Sequence, residues 1–332
     1  MDRVTGLQNL GNTCYLNTSL QCLFRCDDFV QLILKTHPRL APHPLLLNLK
    51  NLILNMNVHK VVSPHTVLRV IEATAIKSQH QQFSQMRCQH DMSEFIIYLL
   101  DLLHINTERK VTIKIAGKPN NEIAKQTIDA MSTFKDFFEN HYSDLIPLFF
   151  GQYQSCTHNL SDNTFSYSYD PFSTIQLEIP PSYGKKLHLS DCFNFMVKSE
   201  SIQLQKTTIH RTTKFWKFPK YIIIVLGRFS ATGKKRNENI EIPQTLDLRQ
   251  YTNGPEQYLS KFSLISVGNH RGSVAGGHYY AYVKDRKSQK WFVCNDNTIR
   301  PMNSTQSISS PFAYCLLYVK FNTEDDEACL VR

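Results

Sequence analysis

Cys14 stands in the stretch Gly6 to Phe24, where small, amide and hydroxyl residues (Asn9, Gly11, Asn12, Thr13) give way to apolar ones at helical spacing, Leu16, Leu20, Leu23 and Phe24. The pattern predicts a helix with the cysteine in its first turn. There, unpaired main-chain amides and the positive end of the helix dipole favour a thiolate, the nucleophilic form of the side chain. Taken alone, Cys14 reads better as a small buried hydrophobe, as most free cysteines are. What a lone cysteine lacks is a base, and the far end of the chain offers one. His278 follows Gly276 and Gly277 and opens an alternating run, Tyr280 and Tyr282 against Ala281 and Val283, that reads as a strand. A second strand-like run, Trp291 to Cys294, ends on Asn295 and Asp296. Two adjacent strands with a polar turn between them put an amide or a carboxylate beside the imidazole. Nucleophile, base and orienting group are then all available.

The elements that must hold these groups belong to a folded globule. The chain has 332 residues, 42% hydrophobic and 11% aromatic, enough to bury a substantial core in one large domain or two ordinary ones. No apolar leader opens the sequence, and its longest candidate membrane segment, Tyr221 to Leu226, is far too short to span a bilayer. Nine cysteines, an odd number without regular spacing, suit reduced thiols. Together these features predict a protein without a membrane anchor in the cytoplasm or nucleus. The net charge of +9 is spread over separate short clusters such as Lys234 to Arg236 and Lys284 to Lys287, with no basic run interleaved with aromatics. That argues against a nucleic-acid partner.

In chain order, one long helix is expected from Tyr15 to about Ile33, with Cys22 and Cys26 four apart as core residues. Residues 37–80 read as short helices joined by turns, and their five histidines show no metal-ligand pattern. Met92, Phe95, Ile96, Leu99 and Leu103 share one helical face, with Gln89, Asp91 and Glu94 at its start, where carboxylates are favoured. Residues 110–115 look strand-like and 122–142 amphipathic. Residues 149–180 alternate like antiparallel strands, and 218–229 read as a buried strand. A polar loop, a strand near 258–270, the glycine-bearing loop 268–277 and a polar tail at 323–332 follow.

The Cys14 stretch resembles the cysteine box of the ubiquitin-specific proteases, and residues 276–302 resemble their histidine box. Residues 88–104 are similar to the family's Gln-x-Asp helix, and 218–229 to the strand that enters its palm. The matches keep the family's order over roughly residues 5 to 320. The resemblance implies an α+β, papain-like cysteine protease fold in a single catalytic domain, 1–332, with a helical thumb (about 1–145), β fingers (about 146–215) and a β-sheet palm (about 216–322). It implies a thiol-dependent deubiquitinase, with Cys14 as nucleophile and His278 as base. Asn295 orients the imidazole, with Asp296 as the competing choice. Asn9 and the Cys14 amide form the oxyanion site. Gln89 and Asp91 hold the tail of ubiquitin, with Glu94, His270, Gly277 and Tyr279 beside it.

The implied partners are ubiquitin, ubiquitinated proteins and a possible regulatory protein, and no cofactor is required. The short stretch before Cys14 leaves no room for an appended targeting domain on this reading. Many family members carry two Cys-x-x-Cys pairs in the fingers, whereas this sequence offers only Cys156, His158, His188 and Cys192, so no metal is expected. Two other functions stay open: a catalytically inactive ubiquitin-binding module, and a protease for another ubiquitin-like modifier.

Overall fold

The computed structural model describes residues 4–35, 43–77, 80–203, 207–229, 233–273, 276–303 and 305–321; the expected polar tail lies outside them. The apolar spacing after Cys14 becomes helix α1 (Cys14–Leu23), which stops well short of Ile33. Main-chain bonds from Arg25 to Cys22 and from Cys26 to Leu23, each 3.0 Å, tighten its last turn. Helix α2 (Asp27–Lys35) then starts afresh with two acids in its first turn, where the helix dipole favours them. The leucine-rich run forms one fifteen-residue helix, α3 (Pro44–Val58), rather than short pieces, with proline at its permissive start. Helices α4 (His65–Ala75) and α5 (Met92–Ile105) complete the layer around α1. In α5 the face expected to be apolar is buried, and Asp91 caps the helix.

Residues 110–115 do not form the expected strand. Their amides turn instead to one residue: Val111 N donates to Glu139 O at 2.8 Å and Ile113 N to Glu139 Oε1 at 3.1 Å. Strand propensity needs a neighbour to pair with, and the chain continues into α6 (Glu122–Phe138).

The antiparallel strands expected after residue 149 are present as β1 (Gly151–Asn159) and β2 (Thr164–Phe172). Then β3 (Ile175–Glu178) leaves for a larger sheet, while β4 (Glu200–Gln203) and β5 (Thr208–Lys217) complete a four-stranded sheet in the order β2-β1-β5-β4. Its tip is closed by side-chain hydrogen bonds. Asn159 Oδ1 accepts from Ser161 N at 3.0 Å and Thr207 Oγ1 at 2.8 Å, and Asp162 Oδ1 accepts from Thr164 N at 3.1 Å. Among the described residues no group of three or more His, Cys, Asp or Glu side chains is placed to hold a metal ion.

The larger sheet has eight strands. Seven lie in a row, β10-β9-β8-β7-β11-β6-β3, built from β6 (Tyr221–Gly227), β7 (Lys261–Ser273), β8 (Gly276–Lys284), β9 (Trp291–Asn295), β10 (Thr298–Pro301) and β11 (Ala313–Lys320) besides β3. Strand β6 shows why its sequence is apolar without alternation: Tyr221, Ile223 and Val225 enter the core shared with the helices, and Ile222, Ile224 and Leu226 enter a second core on the opposite face. Immediately after β6, Arg228 is fully buried and donates to the carbonyl oxygens of Ala313, Arg236, Glu238 and Ser310. Replacing it by leucine strands those acceptors at about 1–3 kcal/mol each where water cannot reach them. Arg228→Leu should therefore lower unfolding free energy by roughly 3 kcal/mol or more in a urea titration; a change below about 1 kcal/mol would refute this role for the guanidinium.

Candidate active site

Every residue of α1 is buried, polar ones included, so its side chains must find partners inside the protein. Gln21 Nε2 donates to Thr5 O at 2.6 Å and Ser19 Oγ to Tyr15 O at 2.8 Å. The helix packs against α5 and against strands β7 and β8, which brings its first residue, Cys14, to the strand that carries His278. The loop ahead of it doubles back through the left-handed region at Gly11 (φ 100°) and Asn12 (φ 52°). Asn9 Oδ1 holds that loop, accepting from Gly11 N at 2.9 Å and Thr13 N at 3.3 Å. A Cβ on Gly6 would fall 2.4 Å from Asn297 O, so only glycine lets this segment lie against the turn after β9.

The structure brings Cys14, His278 and Asn295 together. His278 Nε2 lies 2.6 Å from Asn295 Oδ1, and Cys14 is near enough to the ring to act on its titration. With Nε2–H donating to the amide oxygen, Nδ1 is left for the sulfur. The neighbouring Cys14 is the main cause that lifts the imidazole to about 9; burial works against it, and Asn295 adds to the rise. The imidazole beside the sulfur is thus held in its charged form at neutral pH.

Asn295 and Asp296, which the sequence alone leaves as rivals, face different partners. Asp296 adopts φ 49°, and its carboxylate accepts from Asn9 Nδ2 at 2.9 Å and Asn17 Nδ2 at 2.8 Å. Its carbonyl takes Leu7 N at 2.9 Å. The carboxylate is therefore bonded to the helix and its leading loop, while Asn295 meets the imidazole. An amide nitrogen has two protons. Asp296 uses one of those on Asn9, and the other stays available.

A cleft of about 580 Å³ runs from Cys14 between the start of α5 and the ends of β7 and β8. Gln89 Oε1 accepts from Gly277 N at 3.2 Å, joining its two walls. Asp91 is fully engaged: Oδ1 accepts from Ser93 N at 2.7 Å and Glu94 N at 3.1 Å, and Oδ2 from Tyr314 Oη at 2.7 Å and Tyr279 Oη at 3.3 Å. Glu94 lines the cleft, its carboxyl pushed upward by desolvation and by nearby Asp91. His270 is buried behind Gly277, where an added Cβ would come 2.4 Å from His270 Nε2. Tyr314 and the Asp296 contacts escape sequence reasoning, because each depends on pairing between distant segments. Cys22 and Cys26 lie in the core as expected, although Cys26 falls in the break between α1 and α2 rather than on one helix with Cys22.

Since Cys14 is the main cause of the raised His278 value, Cys14→Ala should bring the imidazole from about 9 down towards 6.5 in an NMR titration. An unshifted midpoint would mean that another group sets the charge.

Residues 5–318 match the sequence family described as ubiquitin carboxyl-terminal hydrolase. The chain is 29% identical over 332 residues to "Ubiquitin carboxyl-terminal hydrolase Usp2" of Drosophila melanogaster, covering 94% of this chain and 34% of the relative. It is 28% identical to "Ubiquitin carboxyl-terminal hydrolase 5" of Saccharomyces cerevisiae (96% and 45% covered) and 29% identical to the human "Ubiquitin carboxyl-terminal hydrolase 2" (95% and 55%). The chain thus spans between about a third and just over half of these relatives' lengths. Among solved structures, a SAGA DUB module of Ubp8, Sgf11, Sus1 and Sgf73 bound to monoubiquitin superposes with a TM-score of 0.73 at 19% identity, covering 97% of this chain and 70% of that one. At that identity the likeness bears on the fold, which is the α+β architecture described above. The match across residues 5–318 carries the further conclusion that this chain belongs to the ubiquitin carboxyl-terminal hydrolase family.

Proposed function

We propose that the chain is a thiol-dependent deubiquitinase that hydrolyses the peptide or isopeptide bond after the C-terminal glycine of ubiquitin. The observation that carries this reading is His278 bonded to Asn295 and set beside Cys14, whose presence holds its imidazole charged. In this reading the thiolate of Cys14 attacks the glycine carbonyl carbon. A carbon–sulfur bond forms, and the carbonyl electron pair moves onto oxygen. The free proton on Asn9 Nδ2 and the main-chain amide of Cys14 face that oxyanion. As the tetrahedral centre collapses, the imidazolium gives its proton to the departing lysine amine, leaving a thioester. Water, deprotonated by the now neutral imidazole, then attacks the thioester carbonyl carbon, and breaking the carbon–sulfur bond releases ubiquitin and restores the thiolate beside the imidazolium. Asp296 serves by orienting Asn9 rather than His278.

Two glycines at the end of a ubiquitin tail suit a cleft whose wall is itself glycine at 276 and 277. Gln89, Glu94, His270 and Tyr279 flank that path, and Asp91 shapes it by anchoring two tyrosines and the start of α5. In the same reading the helical layer is the thumb, the four-stranded sheet the fingers and the large sheet the palm. The solved relative is part of a module with three further named proteins, which makes a regulatory partner a reasonable expectation here too. No helix among the described residues is long and apolar enough to cross a membrane, in keeping with a cytoplasmic or nuclear setting.

Ubiquitin carrying a thiol-reactive group at its C-terminus should add one ubiquitin mass to the wild type and none to Cys14→Ala. A folded wild type that is not labelled would rule out the active deubiquitinase. Tight binding of unmodified ubiquitin would then point to an inactive module, and labelling by a different modifier's probe to a change of substrate. Asn9→Ala should lower kcat by on the order of a hundredfold in a ubiquitin-amide assay, with a small change in KM; an unchanged kcat would remove Asn9 from the oxyanion site.

A further inference from the structure

Lys235 enters none of the steps above, yet its ammonium is fully engaged at the back of the cleft. Its Nζ lies 3.0 Å from His270 Nδ1, 2.6 Å from the His270 carbonyl oxygen and 3.2 Å from the Gly272 carbonyl oxygen. An ammonium group has three donors and no acceptor. Three contacts use all three protons, so the ring nitrogen facing Lys235 must offer a lone pair. The neutral imidazole then carries its proton on Nε2.

Several groups act on this ring. Burial first, and the Lys235 charge second, drive its titration down to about 4, with His278 adding to the fall and Asp91 opposing it. His270 is therefore neutral at physiological pH, and its tautomer is a real variable. The rings of Tyr279 and Phe229 pack against it, with centroids 4.6 Å and 5.4 Å away, and fix its plane. Nε2 is aimed at Gly277, where an added Cβ would come within 2.4 Å of it. Among the described residues no protein acceptor takes the Nε2 proton. An N–H without a protein partner thus stands at the edge of the cleft.

We infer that Lys235 is a positioning residue: by donating to Nδ1 it holds the His270 proton on Nε2, and so keeps an N–H turned into the cleft to meet a main-chain carbonyl of the extended peptide bound there. The other tautomer would set a lone pair against that carbonyl. The inference rests on the reading of the cleft as a channel for a peptide tail. It adds a residue outside the cysteine and histidine stretches whose effect passes entirely through another side chain.

The test uses the whole chain labelled with ¹⁵N in its histidines. Two-bond imidazole spectra of the wild type should show His270 as the Nε2–H tautomer alone. In Lys235→Met, which keeps most of the apolar stem and removes the ammonium, the ring should populate the Nδ1–H form or protonate at a higher pH. In parallel, KM for a ubiquitin-derived amide reporter should rise about three- to tenfold, the loss of one neutral hydrogen bond, with kcat near the wild-type value. Lys235→Arg, which keeps a cationic donor, should recover part of that loss. A wild-type His270 protonated on Nδ1, or a tautomer unchanged in Lys235→Met, overturns the inference. The first of these needs no variant, so an unstable Met protein leaves the question decidable. If the wild type cleaves no ubiquitin reporter, the functional reading fails while the spectra still settle the role of Lys235.

Discussion

A single left-handed residue, Asp296, determines how the two ends of the chain meet. With φ at 49° it turns its carboxylate to Asn9 and Asn17, while the preceding Asn295 presents its amide oxygen to His278. Aspartate tolerates this conformation better than most non-glycine residues. Two adjacent polar side chains thereby serve two separate ends: one orients the base, and the other ties the nucleophile's helix to the sheet.

The tie matters because α1 is an unusual helix. It is buried on all sides, so its polar side chains cannot fall back on solvent. Asn17 meets Asp296 and the carbonyls of Leu7 and Gln8, and Gln21 meets Thr5. Each bond is worth little net, but leaving any of them unmade in such surroundings costs considerably more. The same polar contacts therefore fix the helix's rotation, and with it the direction in which Cys14 points. Burying both faces of the large sheet extends this rigidity from β6 to β8, so the histidine is presented by a stiff element.

Much of this is legible in the sequence where the signal is local. The helix that begins at Cys14, the strands flanking His278 and Asn295, and the apolar run of β6 all follow from spacing and residue type. The end of α1 does not, since apolar positions continue into α2 and only the hydrogen bonds at Arg25 and Cys26 mark the break. The strand-like residues 110–115 fail for a related reason: alternation describes a face, and among the described residues no neighbouring strand pairs with it. The contacts of Asp296, Tyr314 and Lys235 were illegible because each joins segments far apart in the chain, and no local pattern encodes them. Family resemblance names the residues at the site, but it says nothing about which hydrogen bond holds each of them.

The order of the elements along the chain has a consequence for synthesis. Helix α1 leaves the ribosome well before β7, β8 and β9, which pack against it, and before the turn at Asp296, which bonds it. Until those later strands emerge, a nascent chain holds the apolar side chains of α1 uncovered, and its sulfur has no imidazole beside it. That exposed surface is what chaperones recognise. The cysteine–imidazole pair is thus assembled only once the sheet can close over it, so a growing chain carries no completed reactive centre into the crowded surroundings of translation.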